Sequence, residues 1–428
     1  MMTKLHQAMA SRPPIQVFEF EKLTIHPDSK ERYLTSKELE KLYEFNDRNN
    51  NCYFTGIRDG IRFNNYVGVI QIGGLTIEIL PKADKSAIDK DDYKHWHAAL
   101  LNMLKVCKHI DVTSVSEASL KRKHNSLLDL YFELFLNEVQ NLMRVGLIKQ
   151  YRKQSSNVLA LKGKIDFNKN IQQNLIHKER FYTEHQVYDY EHLVNQIILK
   201  GLVVLDDLTF NPYLKDRIKR LKMSFPEIKE IEIQKHHFDK IKVNRKSILY
   251  SKAIQIAQMI LLNYSPDIRS GQENMLTLLF DMNKLWEQYI YQMLLKTNRT
   301  DIKVSFQNSK EFWETRTIRP DIVLEHKKDN ETLTYIIDTK WKLLDTTNPK
   351  PSIDDLKQMF SYNLYWNAQR SMLLYPNSNE INESFGRFWK GADLPENNLC
   401  KVGFIHVLNK QNQLDFEIGN KILEKIIE

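Results

Sequence analysis

The sequence predicts an α+β multidomain chain with a β-rich N-terminal domain, a helical middle domain and a C-terminal domain built on a mixed sheet. Its 428 residues exceed what one domain of roughly 100–200 residues needs. The apolar pattern changes from strand-like to helical after the polar stretch at 84–92, and strands return in the last third. We therefore expect domains at residues 1–92, 93–269 and 270–428.

The first domain should consist mainly of strands. Residues 15–82 contain β-branched runs, and Gly73-Gly74 between two such runs predicts a hairpin turn. One helix is expected at 35–46, where Thr35 or Ser36 can cap an amphipathic segment.

The middle domain should be helical. Apolar residues recur there at spacings of three and four, which is typical of amphipathic helices. A strand pair or turn is expected at 159–166. The predicted helices cover residues 93–106, 126–144, 188–205 and 247–262.

The last domain mixes both patterns. Consecutive strands before a helix imply a mixed sheet with helices packed on its faces. The predicted order is a helix at 274–297, strands at 302–307, 318–326 and 333–343, a helix at 353–367, and strands at 371–375 and 401–408.

Composition excludes several classes of protein. Cys52, Cys107 and Cys400 are odd in number and far apart, which argues against a disulfide framework and a CxxC zinc site. No run approaches the roughly 18 apolar residues of a membrane span, and the first residues lack the apolar core of a secretory signal. We expect a cytoplasmic protein.

The net charge of +8 is unevenly distributed. Residues 101–250 contain 26 Lys and Arg against 17 Asp and Glu, and the rest of the chain is close to neutral. A localised basic region favours contact with a nucleic acid backbone. Solvated helix faces would explain each single cluster equally well.

Two short motifs in the last third have the composition of a metal-dependent site. Arg319-Pro320-Asp321 is followed, after sixteen residues, by Asp338-Thr339-Lys340. Side chains two apart in a strand share a face, so Asp338 and Lys340 should project together, and Asp321 on the neighbouring strand can reach the same point. Carboxylates suit Mg²⁺, and a lysine can orient water or stabilise phosphoryl charge. The alternative is an ordinary surface ion pair.

Three further residues lie in helices near these motifs in the sequence. Glu287 is in the predicted helix at 274–297, where ordinary solvation of a polar face is the alternative. Gln358 and Tyr362 are four apart and therefore share a helix face. A half-buried tyrosine on an amphipathic helix would account for them without any catalytic role.

In their order along the chain, these residues resemble the PD-(D/E)xK nuclease superfamily, with the Q-x-x-x-Y helix of its exonuclease-like branches. The wider sequence resembles the McrC family, the nuclease subunit of the McrBC modification-dependent restriction system. The similar segments are LTIEILPK (75–82), RVGLIKQY (144–151), LKGKID (161–166), a helix containing Asn195, LFDMNKLWEQYI (279–290), RPDI (319–322), IIDTKWK (336–342) and DLKQMFSY (355–362).

The resemblance implies a restriction-endonuclease-like C-terminal domain and a role for each site residue. Asp321 and Asp338 would bind Mg²⁺, and Lys340 would act as base or position the attacking water. Glu287 would be an auxiliary acid. Gln358 and Tyr362 would support the site or touch DNA, and Lys342 would at most contact a backbone phosphate.

The resemblance also implies the partners, double-stranded DNA and an AAA+ GTPase motor similar to McrB that this chain stimulates through its N-terminal region. The sequence lacks a GxxxxGK[ST] motif, so the nucleotide should be bound by that partner. Two alternatives stay open. The chain could be a non-catalytic activator of a partner NTPase, or the nuclease of a related system that recognises unmodified sequence.

Overall fold

The computed structural model divides into two compact units, the first formed by residues 1–12, 70–75 and 112–278 and the second by residues 13–69, 76–111 and 279–428. Division of the chain at 92 and 269 stays a prediction. The structure describes residues 12–26, 32–83, 90–109, 126–241, 245, 247–265, 274–329, 331–344, 349–377, 383–388 and 398–427.

The N-terminal part of the second unit is rich in strands, as predicted. Strand β1 pairs in parallel with β6, while β4 lies between β2 and β3. Helix α1 begins after Thr35, whose hydroxyl accepts a hydrogen bond from the Glu38 backbone N–H (3.3 Å). The predicted turn at Gly73-Gly74 joins β5 to β6. The elements are β1 (Ile15–Phe18), β2 (Lys22–Thr24), α1 (Ser36–Arg48), β3 (Phe54–Ile57), β4 (Gly60–Phe63), β5 (Tyr66–Ile72), β6 (Leu75–Leu80) and α2 (Lys90–Val106).

The first unit is mainly helical, also as predicted. Asn195 is fully buried, and its side-chain amide donates hydrogen bonds to the carbonyls of Ile148 (3.1 Å) and Tyr190 (2.9 Å). These bonds join two loops to the helical core. The helices are α3 (Leu127–Val145), α4 (Phe167–Asn174), α5 (Leu193–Leu208), α6 (Pro212–Ser224), α7 (Lys235–Asp239), a 3₁₀ turn at Ser247–Tyr250 and α8 (Ser251–Leu262).

A long hairpin interrupts these helices. Strands β7 (Gln150–Val158) and β9 (Phe181–Asp189) pair antiparallel along their whole length, and the short strand β8 (Lys164–Ile165) and α4 lie between them in sequence. We call residues 150–189 the hairpin extension. Several of its large apolar side chains are exposed, including those of Phe167, Ile171 and Ile176 (71%, 62% and 87%).

The predicted helix at 188–205 starts too early. Tyr188 and Asp189 belong to β9, and α5 begins only at Leu193. The strand extends because Tyr188 pairs with Tyr151 and Asp189 accepts hydrogen bonds from Arg152, one of them at 2.9 Å. Partners about 37 residues away override the local helical pattern.

The C-terminal part of the second unit contains a six-stranded mixed sheet, which confirms the predicted α+β class. The strand order is β12-β15-β16-β17-β19-β18, with β16, β17 and β19 parallel and the outer pairs antiparallel. Helix α10 packs on β16 and β17. The elements from 264 onward are β10 (Tyr264–Ser265) and β11 (Met275–Asp281), of which β10 and residues 275–278 belong to the first unit, and then, in the second unit, α9 (Met282–Lys296), β12 (Ile302–Phe306), β13 (Lys310–Trp313), β14 (Arg316–Ile318), β15 (Ile322–Lys328), β16 (Glu331–Thr339), α10 (Ile353–Trp366), β17 (Arg370–Asn377), β18 (Phe385–Arg387), β19 (Leu399–His406) and α11 (Ile418–Ile427).

The prediction of one helix over 274–297 is wrong in its first third. Residues 275–281 form β11, and α9 starts after Asp281, whose carboxylate accepts a hydrogen bond from the Asn283 backbone N–H (3.0 Å). A short apolar run fits a buried strand and a helix equally well. The predicted strand at 318–326 is split between β14 and β15, the strand predicted at 333–343 ends at Thr339, and α11 was not predicted.

Within the described part of the chain, no helix combines the length and the apolar character that a membrane crossing requires.

Candidate active site

The pairing of β15 with β16 brings Asp321 and Asp338 together. Ile322, the first residue of β15, pairs with Ile337, so the antiparallel register places Asp321 opposite Asp338. Asp321 Oδ2 accepts hydrogen bonds from the backbone N–H of Thr339 (2.7 Å) and from its hydroxyl (3.0 Å). The side chain of Asp321 is thereby fixed against the end of β16.

Lys340 reaches the same point from the end of β16. Its backbone N–H donates to the carbonyl of Leu374 (2.9 Å), which extends the parallel pairing with β17. Its Nζ lies 2.5 Å from Asp338 Oδ2 and 3.3 Å from Gln358 Oε1. The lysine therefore contacts both the acidic pair and α10.

The two aspartates are held in an environment that disfavours their charge. Asp338 is 1% exposed, and burial followed by the charge of Asp321 raises its pKa. Burial and then the charge of Glu287 raise the pKa of Asp321. Burial alone would lower the pKa of Lys340, but the adjacent carboxylate of Asp338 raises it above its ordinary value. The site thus contains more negative charge than its single lysine neutralises.

Glu287 approaches the pair from α9. Burial raises the pKa of its carboxyl, and a hydrogen bond from Gln307 opposes that rise. Gln307 Nε2 lies 3.3 Å from Glu287 Oε2, and the Gln307 backbone N–H donates to the carbonyl of Asp321 (2.8 Å). Gln307 was not anticipated from the sequence because it stands alone, outside any recognisable motif.

Gln358 and Tyr362 lie on the face of α10 that meets the site. Gln358 Nε2 donates to the hydroxyl of Tyr362 (2.7 Å), which in turn donates to the carbonyl of Arg319 (2.9 Å). Burial raises the pKa of Tyr362, so the phenol stays a donor at neutral pH. The helix therefore fixes both Lys340 and the turn before Asp321.

Lys342 lies farther from Asp321 and Asp338 than Lys340 does. Its Nζ is 2.7 Å from Asp355 Oδ2, and its side chain is 45% exposed. Asp355 also lies 3.7 Å from the Lys340 Nζ. Lys342 thus adds positive charge at the rim of the site and pairs with Asp355 rather than with Asp321 or Asp338.

Glu19 is far from the other site residues in the sequence but stabilises the segment that directly follows β16. The indole N–H of Trp341, next to Lys340, donates to Glu19 Oε1 at 2.5 Å, and the Lys82 backbone N–H donates to the same oxygen at 3.1 Å. Burial raises the pKa of Glu19 to about 8. No local sequence signal links two residues 322 positions apart.

Over the residues that the structure describes, no cluster of three or more His, Cys, Asp and Glu side chains has the arrangement of a metal site. The acidic site is a pair of opposed aspartates, and Glu287 lies beside it.

Comparisons with known proteins agree with the sequence resemblance. Residues 61–376 match the family described as "McrBC 5-methylcytosine restriction system component". The "Type IV methyl-directed restriction enzyme EcoKMcrBC" of Escherichia coli strain K12 is 23% identical over 172 residues, 40% of this chain and 49% of that protein. The chain thus spans about half the length of this curated relative.

The fold is also similar to solved structures from Thermococcus gammatolerans. A half-complex of McrB AAA+ hexamers with bound McrC contains a chain that matches with a TM-score of 0.70 and 16% identity, covering 96% of this chain and 98% of that one. The cryo-EM structure of the McrBC complex matches with a TM-score of 0.51 and 16% identity, covering 67% and 89%. The chain therefore belongs to the McrBC family of restriction system components, as its resemblance to McrC predicted.

Proposed function

We propose that this chain is the nuclease subunit of a McrBC-like restriction complex, a Mg²⁺-dependent endodeoxyribonuclease of the PD-(D/E)xK type that cuts DNA containing 5-methylcytosine. The observation that carries the proposal is the opposition of the buried Asp338 and the half-buried Asp321 at the paired strands β15 and β16, with Lys340 Nζ 2.5 Å from Asp338. An enzyme that hydrolyses phosphodiesters needs negative ligands for a cation and a positive group beside the reacting oxygen.

The residues present fit a magnesium ion. Burial raises the pKa values of both aspartates, and the charge of Asp321 adds to the rise for Asp338 and that of Glu287 to the rise for Asp321. A divalent cation held by the two aspartates would offset this repulsion. Mg²⁺ is commonly held by one or two carboxylates together with water and substrate phosphate, so a pair of aspartates suffices. Bound there, it would supply positive charge to the scissile phosphate and lower the pKa of water.

The protein groups have separate tasks in this scheme. The Lys340 ammonium, oriented by Asp338 and Gln358, positions the attacking water and stabilises charge on the phosphate. Tyr362 holds the turn before Asp321 through the Arg319 carbonyl. Glu287, whose pKa is raised by burial, is the auxiliary acid.

The partner is an AAA+ GTPase similar to McrB, which binds the nucleotide. Docking of residues 1–92 on that partner stays a prediction. The hairpin extension is a second candidate surface, because Phe167, Ile171 and Ile176 are largely exposed. Several large apolar side chains exposed within one element are typical of a surface that another protein covers.

The nuclease proposal is tested by DNA cleavage with the chain and its native partner, with Mg²⁺ and GTP. Wild type and Asp338→Ala are compared on methylated and unmethylated plasmid. Cutting confined to methylated DNA and lost in the variant is the expected result. Equal cutting of both plasmids would leave a nuclease with another specificity. Stimulated GTP hydrolysis without any cutting would favour the alternative of a non-catalytic activator.

The docking surface is tested by charge insertion. Ile171→Glu on the hairpin extension and Phe20→Glu in the N-terminal part both alter exposed apolar side chains (62% and 50%), so neither should unfold the chain. If the extension docks, only Ile171→Glu loses co-purification of the partner and GTPase stimulation. Loss in Phe20→Glu alone would assign docking to the N-terminal part.

A further inference from the structure

We propose that the short hairpin formed by β13 and β14 binds DNA beside the phosphodiester that is cut. We call residues 310–318 the site hairpin. The inference rests on the proposed nuclease function and adds a substrate-binding element that lies outside the acidic site.

Both ends of the site hairpin are attached to residues of the active site. Before it, Gln307 bonds to the Asp321 carbonyl (2.8 Å) through its backbone and to Glu287 (3.3 Å) through its side chain. After it, the Arg319 carbonyl accepts the hydrogen bond of Tyr362 (2.9 Å). The hairpin therefore emerges directly from the acidic site, and DNA bound there must pass it.

The base of the site hairpin is also fixed on α10. Lys310 Nζ donates to the carbonyl of Tyr365 (2.8 Å) and lies 4.8 Å from the centre of the Trp366 ring. The ring of Phe312 lies 5.5 Å from that of Tyr365. These contacts hold the hairpin in one position relative to the catalytic strands.

The site hairpin and the adjoining end of α10 present aromatic rings to solvent. The pairing of β13 with β14 shifts register between Glu311 and Trp313, and such a bulge redirects side chains and often lies next to active sites. Phe312, Trp313 and Tyr365 are 48%, 58% and 40% exposed. Neighbouring large aromatic side chains remain exposed at a cost in hydration unless something binds them.

The chemistry and position of this surface favour nucleic acid. Arg316 pairs with Trp313 across the hairpin, and both Arg316 and Arg319 are exposed. Guanidinium groups bind phosphates, and aromatic rings stack on bases or wedge between them. A protein bound at this place would cover the acidic site and block its substrate, whereas DNA entering the site would contact the hairpin as it binds.

The test measures DNA binding by the full chain carrying Asp338→Asn, which prevents cutting, with a fluorescently labelled duplex in low salt. Adding Trp313→Ala to this parent should raise the Kd for DNA about tenfold, because one base–aromatic contact is lost. Trp313→Phe in place of Trp313→Ala should keep most of the affinity of the parent. Phe416→Ala, which removes a similarly exposed ring (53%) elsewhere in the same unit, is the matched control and should bind like the parent.

Arg316→Gln gives an independent readout. Loss of one phosphate contact should reduce the slope of log K against log salt by about 0.9. An unchanged Kd in Trp313→Ala, or no measurable binding by the parent chain, overturns the proposal. Because the assay measures binding, it would still report on the hairpin if the wild-type chain proved unable to cut DNA.

Discussion

Replacement of Glu19 by Gln should stabilise the protein, and more so as the pH rises. Glu19 is 7% exposed, and burial raises its pKa from 4.5 to about 8. In the folded chain the carboxyl stays protonated at neutral pH, whereas in the unfolded chain it ionises above pH 4.5. The unfolded state is therefore favoured progressively between pH 4.5 and 8.

The size of this change in folding free energy follows from the interval between the pKa values of Glu19 in the unfolded and folded chain. At about 1.4 kcal/mol per pH unit, the loss of folding free energy at pH 7 is about 3 kcal/mol, and it is close to zero below pH 4.5. Glutamine keeps an oxygen that can accept the hydrogen bonds of Trp341 and Lys82 but has no charge to bury. The advantage of Glu19→Gln should thus grow by about 2 kcal/mol between pH 5 and pH 7.

Urea unfolding followed by tryptophan fluorescence at several pH values measures this difference. Glu424→Gln, on the exposed face of α11, is the control in which no buried carboxyl is removed. A difference between wild type and Glu19→Gln that stays constant from pH 5 to pH 8 would refute the reasoning, since it would mean that Glu19 ionises equally in both states.

Three further predictions concern the site and its support. Lys340→Ala should lower the cleavage rate at least about a hundredfold with little change in partner binding; cleavage at the wild-type rate in gel assays would contradict the proposed role. Asp338→Asn should raise the melting temperature of the metal-free protein, because it removes buried like-charge repulsion. In a thermal shift assay the variant should also lose the stabilisation by Mg²⁺ that we expect for wild type. An undiminished Mg²⁺ response would place the metal elsewhere. Asn195→Ala should destabilise the protein by about 1–3 kcal/mol, because the Tyr190 carbonyl loses the amide donor and the Ile148 carbonyl keeps only its contact with the His192 ring (2.8 Å). An unchanged urea midpoint would show that water replaces the amide.

The sequence predicted most of the elements that carry the acidic site because their patterns are local. The two-residue spacing of Asp338 and Lys340 and the four-residue spacing of Gln358 and Tyr362 depend only on strand and helix geometry. The Gln358–Tyr362 hydrogen bond of 2.7 Å follows directly from that spacing.

The features that were missed depend on partners far away in the chain. The segment 275–281 has an apolar run whose periodicity does not distinguish strand from helix, and tertiary pairing decides the outcome. Tyr188 adopts the strand because Tyr151 lies opposite. Gln307 and Glu19 reach the site region through contacts across 20 and 322 positions, and no pattern within either segment encodes such contacts.

The bond between Glu19 and Trp341 has a consequence for synthesis of the chain. Of two residues 322 positions apart, the first emerges from the ribosome long before its partner exists. Contacts of Cys107 with Leu285 and of His109 with Gln288 likewise join early and late segments. The second unit cannot complete this packing until translation has passed residue 341. Lys340, the lysine of the proposed nuclease site, would thus gain the support of Glu19 only after Trp341 has been translated.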